Sequence, residues 1–554
     1  MGLTPDQVRA PDRRWALRTV PPEVERRWID AGLWNDQTLG GQLDEALRAQ
    51  PDQLFRIYSD HRPWSGTFGD VRRRALLVAG ALAERGVRYG DPVAFQLPNW
   101  VEAAVVFYAA SFLGAVVVPI VHFYGPKEVA YILRRTRVET LITAATFGAT
   151  DYLAGLDRMG DAVKALRTVA VVGAIEAPLP EGLIPFGDLE EHGVALEAPI
   201  PVDPSTPAII AYTSGTTADP KGVIHTHRTI GSEVRQLGAM RASGDIPNLT
   251  GAPVGHAMGM LGGLLMPVLH GDPVHLVDVW DPPRLLDLMT EHRLACGSGA
   301  TFFLTSLLDH PNRTTDHLEL MSHVGLGGAA VPNAIAERAT RHGISIVRMY
   351  GSTEHPSITG SRHSDPERHR LTTDGRPLDG VEIRLVDDND RPVPSGQPGE
   401  ILSRGPDCCM GYTDPALTIA LFDDDGWYRT EDIGVIDGDG YLTITDRKKD
   451  VIIRGGENVS AAEVEGLLSD LAGVAEVAVV AAPDSRLGER VCAFVRMLPD
   501  MERPDLARIQ SVLRDAGLAR QKWPEQLEFA ADFPRTPSGK IKKNVLRQQL
   551  VLEQ

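Results

Sequence analysis

The stretch "AAVVFYAASFLGAVVVPIV", Ala103 to Val121, contains no charged side chain, and it constrains the fold more than any other part of the chain. A run this apolar either crosses a bilayer or lies inside a protein core. Gly114 and Pro119 interrupt it and Glu102 stands at its head, which disfavours a continuous membrane helix. The pattern predicts a buried helix ending at Gly114, then a short buried strand over "AVVVPI". Strands buried on both faces belong to parallel sheets covered by helices.

The surrounding texture agrees. From about Thr38 to His275, strand-length apolar runs such as "DPVAFQL", "VETLITA", "RTVAVVG" and "PAIIAYTSG" alternate with helical patterns, which predicts parallel α/β layers. From about Asp379 the chain turns to short strands with Asp-Asn-Asp and Pro-Ser-Gly turns, read as antiparallel hairpins, with Asp439-Gly440 as a tight turn. After Asp450 the pattern resets to helix then strand and ends in a polar, lysine-bearing segment. The expected fold class is α/β: a large N-terminal domain of layered sheets and helices (1–446) with a β-rich subdomain at about 379–446, and a small α+β C-terminal domain at 451–554. The 554 residues exceed what one hydrophobic core supports.

Charge and cysteines narrow the function. A net charge of −18 argues against a general nucleic-acid binder, which needs a basic face. It leaves room for a small anionic ligand held by local positive charge. Four cysteines, with Cys408 and Cys409 adjacent and no C-x-x-C, exclude a disulfide framework or a zinc ribbon and imply a reducing cytoplasm. The N-terminus lacks the apolar core of a signal peptide, and Asp6 stands where a myristoylation signal needs Ser or Thr. No membrane span is expected.

"YTSGTTADPKGV", Tyr212 to Val223, gathers hydroxyls at Thr213, Ser214, Thr216 and Thr217, glycines at Gly215 and Gly222, and a cation at Lys221. Backbone N–H groups, hydroxyls and one charge can converge on a phosphate. The spacing is not that of the G-x-x-x-x-G-K-[ST] loop, because Pro220 and Gly222 stand where that pattern needs Gly and a hydroxyl. A phosphate loop of another kind and a merely polar turn both fit these residues. Other stretches divide in the same way. In "MYGSTEHPS", Glu354 after Ser352 and Thr353 can offer Mg²⁺ an oxygen or be a solvated turn. Asp432 in "WYRTEDIGVIDGDGY" can accept ribose hydroxyls or be a surface acid. "DRKKDVIIRGGENVSAAEVE" is a basic linker or a hinge touching nucleotide, and "PRTPSGKIKKNVL" presents Lys540 from a turn or is a solvated tail.

Together, in order and spacing, these stretches and "GEILSRGPDCCMGY" resemble the adenylate-forming superfamily of acyl-CoA synthetases, amino-acid adenylation domains and luciferases. The likeness runs from "GDPVAFQLPN" to "SGKIKK". It implies that Thr213, Ser214, Gly215, Thr216, Thr217 and Lys221 hold the β- and γ-phosphates of ATP. Glu354 matches the magnesium ligand and Thr353 the α-phosphate contact. Tyr350 and Gly351 would lie by adenine, with Gly328 and Ala329 of "GLGGAAVP" walling the nucleotide. Asp432 and Arg447 match the ribose pair. The resemblance also makes 447–450 a hinge centred on Lys449, the C-terminal domain mobile, and Lys540 the catalytic lysine. Ala218 and Ala461 depart from the family's usual Gly and Pro, and neither change removes a chemical group.

The resemblance implies two half-reactions. A carboxylate attacks the α-phosphate of ATP while Lys540 bridges the two anions and Mg²⁺ steadies the leaving group. Rotation about Lys449 then withdraws Lys540 and brings Gly455 and Gly456 to a narrow passage for the thiol of coenzyme A. By resemblance, "PVGHAMGM" borders the acyl pocket, whose wall would include His256, Met258, Thr301, Gly327, Gly328 and Ser352. That neighbourhood offers no acid for a substrate ammonium, which speaks against an amino acid and suits a medium-chain, alicyclic or aromatic acid. A His beside an apolar helix is also a common packed residue. The expected partners are a small carboxylic acid, ATP and coenzyme A, and a homodimer is one assembly this reading allows. Two alternatives stand beside the acyl-CoA ligase: an acyl-AMP ligase that loads a carrier protein, and a nucleotide-binding regulatory protein without catalysis.

Overall fold

The structure is a computed structural model and describes residues 14–173, 179–213, 220–241, 246–329, 331–448, 450–454, 457–484, 486–516, 518–536 and 539–552. The apolar run is interior. Helix Val101–Phe112 is buried at every residue, as is strand Val116–Ile120. Between them Gly114 adopts φ +64, where a side chain would be strained. The two polar groups of the helix that most need partners have them. Glu102 pairs with Arg62 at 2.5 Å, and the Tyr108 hydroxyl donates to the Leu264 carbonyl at 2.8 Å. Each fully buried Val, Phe or Leu here stabilises the fold by roughly 1.5–3 kcal/mol.

Strand Val116–Ile120 lies in a seven-stranded sheet of order Lys221–Thr226, Pro207–Thr213, Val116–Ile120, Pro92–Gln96, Thr140–Ala144, Thr168–Val172, Leu183–Pro185. All neighbours run parallel except the Pro207–Thr213 and Lys221–Thr226 pair, which is antiparallel. Each of the four quoted runs supplies a strand to this sheet. A second, four-stranded sheet joins Leu54–Tyr58 to Val274–Val277 in parallel register, and a third carries His323–Gly327 beside Ser345–Tyr350.

The β-rich part is an antiparallel meander of Glu382–Val386, Gly399–Arg404, Tyr428–Ile436 and Leu442–Arg447. A five-stranded sheet then begins at Ile452–Arg454 and is covered by helices Ala461–Ser469, Leu506–Asp515 and Lys543–Leu552. Its apolar clusters draw only on residues between Ile452 and Leu550, so this C-terminal domain has a core of its own. Among the described residues no helix is long and apolar enough to cross a membrane.

Candidate active site

The phosphate-loop candidate joins strands Pro207–Thr213 and Lys221–Thr226, with Thr213 directly opposite Lys221. Ser214, Gly215, Thr216 and Thr217 lie outside the described residues, as do Lys449, Gly455 and Gly456. Gly222 sits within a strand rather than a turn. A Cβ there would come within 2.7 Å of Thr413 Oγ1 and of the Tyr212 ring, so crowding requires the glycine. Strand Lys221–Thr226 also pairs with the segment around Tyr412: Ile224 N donates to Gly411 O, and Met410 N to Ile224 O, each at 2.8 Å.

The turn after strand Ser345–Tyr350 brings Tyr350, Gly351, Ser352, Thr353 and Glu354 to the same place. A Cβ on Gly351 would lie 1.9 Å from the Pro356 carbonyl oxygen. Ser352 Oγ accepts from the backbone N–H groups of Glu354 (3.2 Å) and His355 (3.3 Å), so this hydroxyl shapes the turn. His225 Nε2 donates to the Thr353 carbonyl at 2.7 Å, tying the turn to strand Lys221–Thr226. Burial lowers the pKa of His225.

Glu354 is 8% exposed, and its Oε1 accepts from the Tyr412 hydroxyl at 3.0 Å. No role for Tyr412 is legible in "GEILSRGPDCCMGY". Its contact joins positions 58 apart, and an aromatic in a Gly-Tyr pair was the only signal. Beneath the turn, His355 bonds Ser403 Oγ (2.8 Å) and Asp407 (3.2 Å). Burial disfavours its charge, but the Asp407 carboxylate prevails and holds the imidazole at about 10. No local pattern marks this pair, whose members lie 52 positions apart.

Asp432 and Arg447 face one another across adjacent antiparallel strands. Arg447 Nε donates to Asp432 Oδ1 at 2.7 Å, and the Tyr350 hydroxyl donates to Oδ2 at 2.8 Å. Burial works against the Arg447 charge, yet the Asp432 carboxylate raises its pKa overall.

His256 caps the helical turn Ala257–Gly259, its Nδ1 accepting from Met258 N at 3.3 Å. The neutral ring therefore carries its proton on Nε2 and offers a donor there. Burial and then the charge of Lys540 push His256 down to about 4, and a Cβ on Gly539, the residue before Lys540, would lie 3.8 Å from Ala300 Cβ. The turn continues into a π-helix, Met260–Leu265. Met258 Sδ would lie 3.0 Å from a Cβ on Gly299, and Met258 Cε 2.9 Å from one on Gly328. Met258 thus spans these two positive-φ glycines. Gly327, opposite Met349 in the third sheet, precedes Gly328 and the half-buried Ala329. Thr301 opens helix Thr301–Leu308 and keeps a buried hydroxyl with no hydrogen-bond partner. Phe303 and Trp280 meet edge to face at 4.5 Å behind it.

The AMP-binding enzyme family matches residues 43–413, and the AMP-binding enzyme C-terminal domain matches residues 463–540. The chain belongs to the AMP-binding enzyme family. Within this adenylate-forming family it is most like the acyl-CoA ligases. It is 33% identical over 551 residues to the medium-chain fatty-acid–CoA ligase of Escherichia coli (strain K12), covering 99% of this chain and 97% of that one. It is 31% identical over 474 residues to the indoleacetate–CoA ligase of Aromatoleum aromaticum, covering 85% and 90%. Among solved structures, ATP-bound MatB from Rhodopseudomonas palustris superposes with a TM-score of 0.81 at 27% identity, over 93% of this chain and 99% of that one. The anthranilate CoA ligase AuaEII in complex with anthranoyl-AMP gives 0.83 at 25%, over 94% and 98%. The large and small domains of an adenylate-forming enzyme are therefore both present.

One further His–Asp–Asp group, His369, Asp437 and Asp439, has the spacing of metal ligands. Arg368 already supplies a cation there, donating to Asp439 Oδ2 at 2.7 Å and to His369 Nε2 at 3.1 Å.

Proposed function

We propose that this AMP-binding enzyme is an ATP-dependent acid–CoA ligase acting on a medium-chain, alicyclic or aromatic carboxylic acid, and that 1–446, 447–450 and 451–554 are its N-terminal domain, hinge and moving domain. The observation that supports the reading is the approach of the Lys540 loop to the segment that begins helix Thr301–Leu308, where a Cβ on Gly539 would lie 3.8 Å from Ala300 Cβ. A carboxylate oxygen attacks the α-phosphorus of ATP, and the bond to pyrophosphate breaks. Lys540 neutralises both approaching anions and aligns them. The oxygens of Glu354 and the ATP phosphates form a hard donor set suited to Mg²⁺, which would offset charge on the leaving phosphates. Asp432 accepts from the ribose hydroxyls, and Tyr350 packs beside the base. The thiol of CoA then loses its proton and attacks the acyl carbon, and AMP leaves with the carboxyl oxygen. Lys540 must withdraw before that step.

The acyl wall of Met258, Phe303, Trp280 and glycine carries no charge to recognise an amino group, which supports an apolar acid. The described free cysteines are all buried, in keeping with a cytoplasmic enzyme, and light scattering would show whether it forms the homodimer. The deciding experiment incubates the protein with ATP, Mg²⁺ and a mixture of such acids, with and without CoA, and identifies products by mass spectrometry. CoA thioesters that vanish with Lys540→Ala and with EDTA establish the ligase. Acyl-AMP that accumulates despite CoA points to a carrier-protein acceptor. ATP binding without product from any acid overturns the reading.

A further inference from the structure

Lys540 stands on a loop whose two ends are fastened to each other. Thr536 N donates to the Lys540 carbonyl at 2.7 Å, and Gly539 N to the Thr536 carbonyl at 2.9 Å. Lys540 N donates to Thr536 Oγ1 at 3.1 Å, and Arg535 and Ile541 form an antiparallel bridge. Gly539 takes φ +83, which a side chain would oppose. The Thr536 hydroxyl therefore acts as a staple on the backbone of Lys540.

A second path reaches this loop from the C-terminal sheet. Glu476 and Arg496 are cross-strand partners on Val474–Asp484 and Gly488–Met497, joined at 2.6 Å. Glu476 Oε2 also accepts from Arg535 Nη2 at 2.5 Å, while Arg535 Nη1 donates to the Gly539 carbonyl at 3.2 Å. Glu476 already has a cation in Arg496, so the sheet's own pairing does not require Arg535. What Arg535 adds is a planar two-pronged link from the sheet to the peptide that precedes Lys540. On its far side the loop meets the acyl pocket: a Cβ on Gly539 would lie 3.8 Å from Ala300 Cβ and 4.0 Å from Phe302 Cβ. A lysine side chain is long and flexible, so its amine can be aimed only if its backbone is fixed relative to the site.

We infer that Thr536, Arg535 and Glu476 are positioning residues for Lys540, coupling the C-terminal sheet to the adenylation chemistry. The inference rests on the ligase reading, in which Lys540 serves the first half-reaction and is withdrawn for the second. It follows that loss of the staple impairs adenylation alone. A residue that merely held the domain together would depress both halves.

The test compares Thr536→Val, Arg535→Gln, Arg535→Lys and wild type on the acid that the product screen identifies. One assay follows ATP–pyrophosphate exchange. The other follows thioester formation from the pre-formed acyl-adenylate and CoA. Thr536→Val and Arg535→Gln are expected to lose about 10- to 100-fold in the exchange rate, the scale of a small misplacement of a catalytic group. Their KM for ATP and their thioester rates should stay within about threefold of wild type on the same argument, and Arg535→Lys should fall between. Equal losses in both assays, or an unchanged exchange rate, overturn the inference. If Arg535→Gln does not fold, Thr536→Val, which exchanges a hydroxyl for a methyl group, decides the matter alone. A wild-type enzyme that forms no acyl-AMP from any acid defeats the ligase reading instead.

Discussion

Asp432→Asn separates a nucleotide ligand from a structural brace. Asp432 is 3% exposed and accepts from Tyr350 at 2.8 Å and from Arg447 at 2.7 Å. An ionised carboxylate accepts about four hydrogen bonds, so capacity remains for the two ribose hydroxyls. The amide keeps the shape but removes the charge and turns one acceptor into a donor. Each charge-assisted bond it weakens contributes about 1.5–3 kcal/mol, and about 1.4 kcal/mol is a factor of ten. The KM for ATP should therefore rise about 10- to 100-fold, with acyl-adenylate binding weakened in step because it carries the same ribose. The KM for CoA should not move. Arg447 also loses its counter-charge, but its side chain is 39% exposed, so water limits the stability cost to about 1 kcal/mol. Steady-state kinetics, titration calorimetry with ATP and a thermal melt read all three quantities. A lowered melting temperature with unchanged ATP affinity would show that Asp432 only braces Arg447 and Tyr350, and would refute the assignment.

Other outcomes follow from the same geometry. Gly351→Ala forces a Cβ against the Pro356 carbonyl, and overpacking of backbone of this kind costs about 1–3 kcal/mol. It should lower the melting temperature and nearly abolish pyrophosphate exchange, and near-normal activity would contradict the turn geometry. Met258→Ala vacates the space against Gly299 and Gly328, so the kcat/KM ratio of bulkier to smaller acids should rise about tenfold; an unchanged ratio would place the acyl group elsewhere. Burial holds His122, His227, His256 and His275 near 4, below the ordinary 6.5. Between those values the unfolded chain binds protons that the folded chain excludes, so stability falls as pH drops from 6.5 toward 4, by at most about 1.4 kcal/mol per pH unit for each histidine. His355, raised to about 10, acts oppositely: its contribution is complete below 6.5 and is lost as pH rises toward 10. Melting temperature should peak near pH 6.5, and a flat profile from pH 4.5 to 7 would argue that these histidines are hydrated.

Local physics made parts of this molecule readable in advance. The helix Val101–Phe112 and strand Val116–Ile120 were visible because an uncharged run broken by Gly and Pro has few solutions. The hairpin character of 379–446 follows from its turn residues, and the order of short motifs marks Glu354, Asp432 and Lys540 as site candidates. What stayed hidden depends on distant partners. Nothing in "LFRIY" reveals that Phe55 pairs with Val274. Ser352 stands next to Glu354's turn in the sequence, but its bonds to the backbone of Glu354 and His355 exist only in the fold. Tyr412, His225 and the Arg535–Glu476 link are contacts across chain separations that no local pattern encodes, and a π-helix at Met260–Leu265 has no sequence period of its own.

The Asp432–Arg447 pair has a consequence for communication within the enzyme. Arg447 ends its strand, Asp450 N and Val451 N donate back to its carbonyl, and the C-terminal sheet opens at Ile452. The residue that grips Asp432 is thus also an anchor of the connection between the domains. If one orientation of the small domain suits the Arg447 grip better than another, a bound nucleotide favours that orientation. By thermodynamic reciprocity the orientation then sets nucleotide affinity by the same factor. ATP, acyl-adenylate and AMP, which differ in what they attach to one ribose phosphate, would then each select their own balance of domain positions without any separate signalling element.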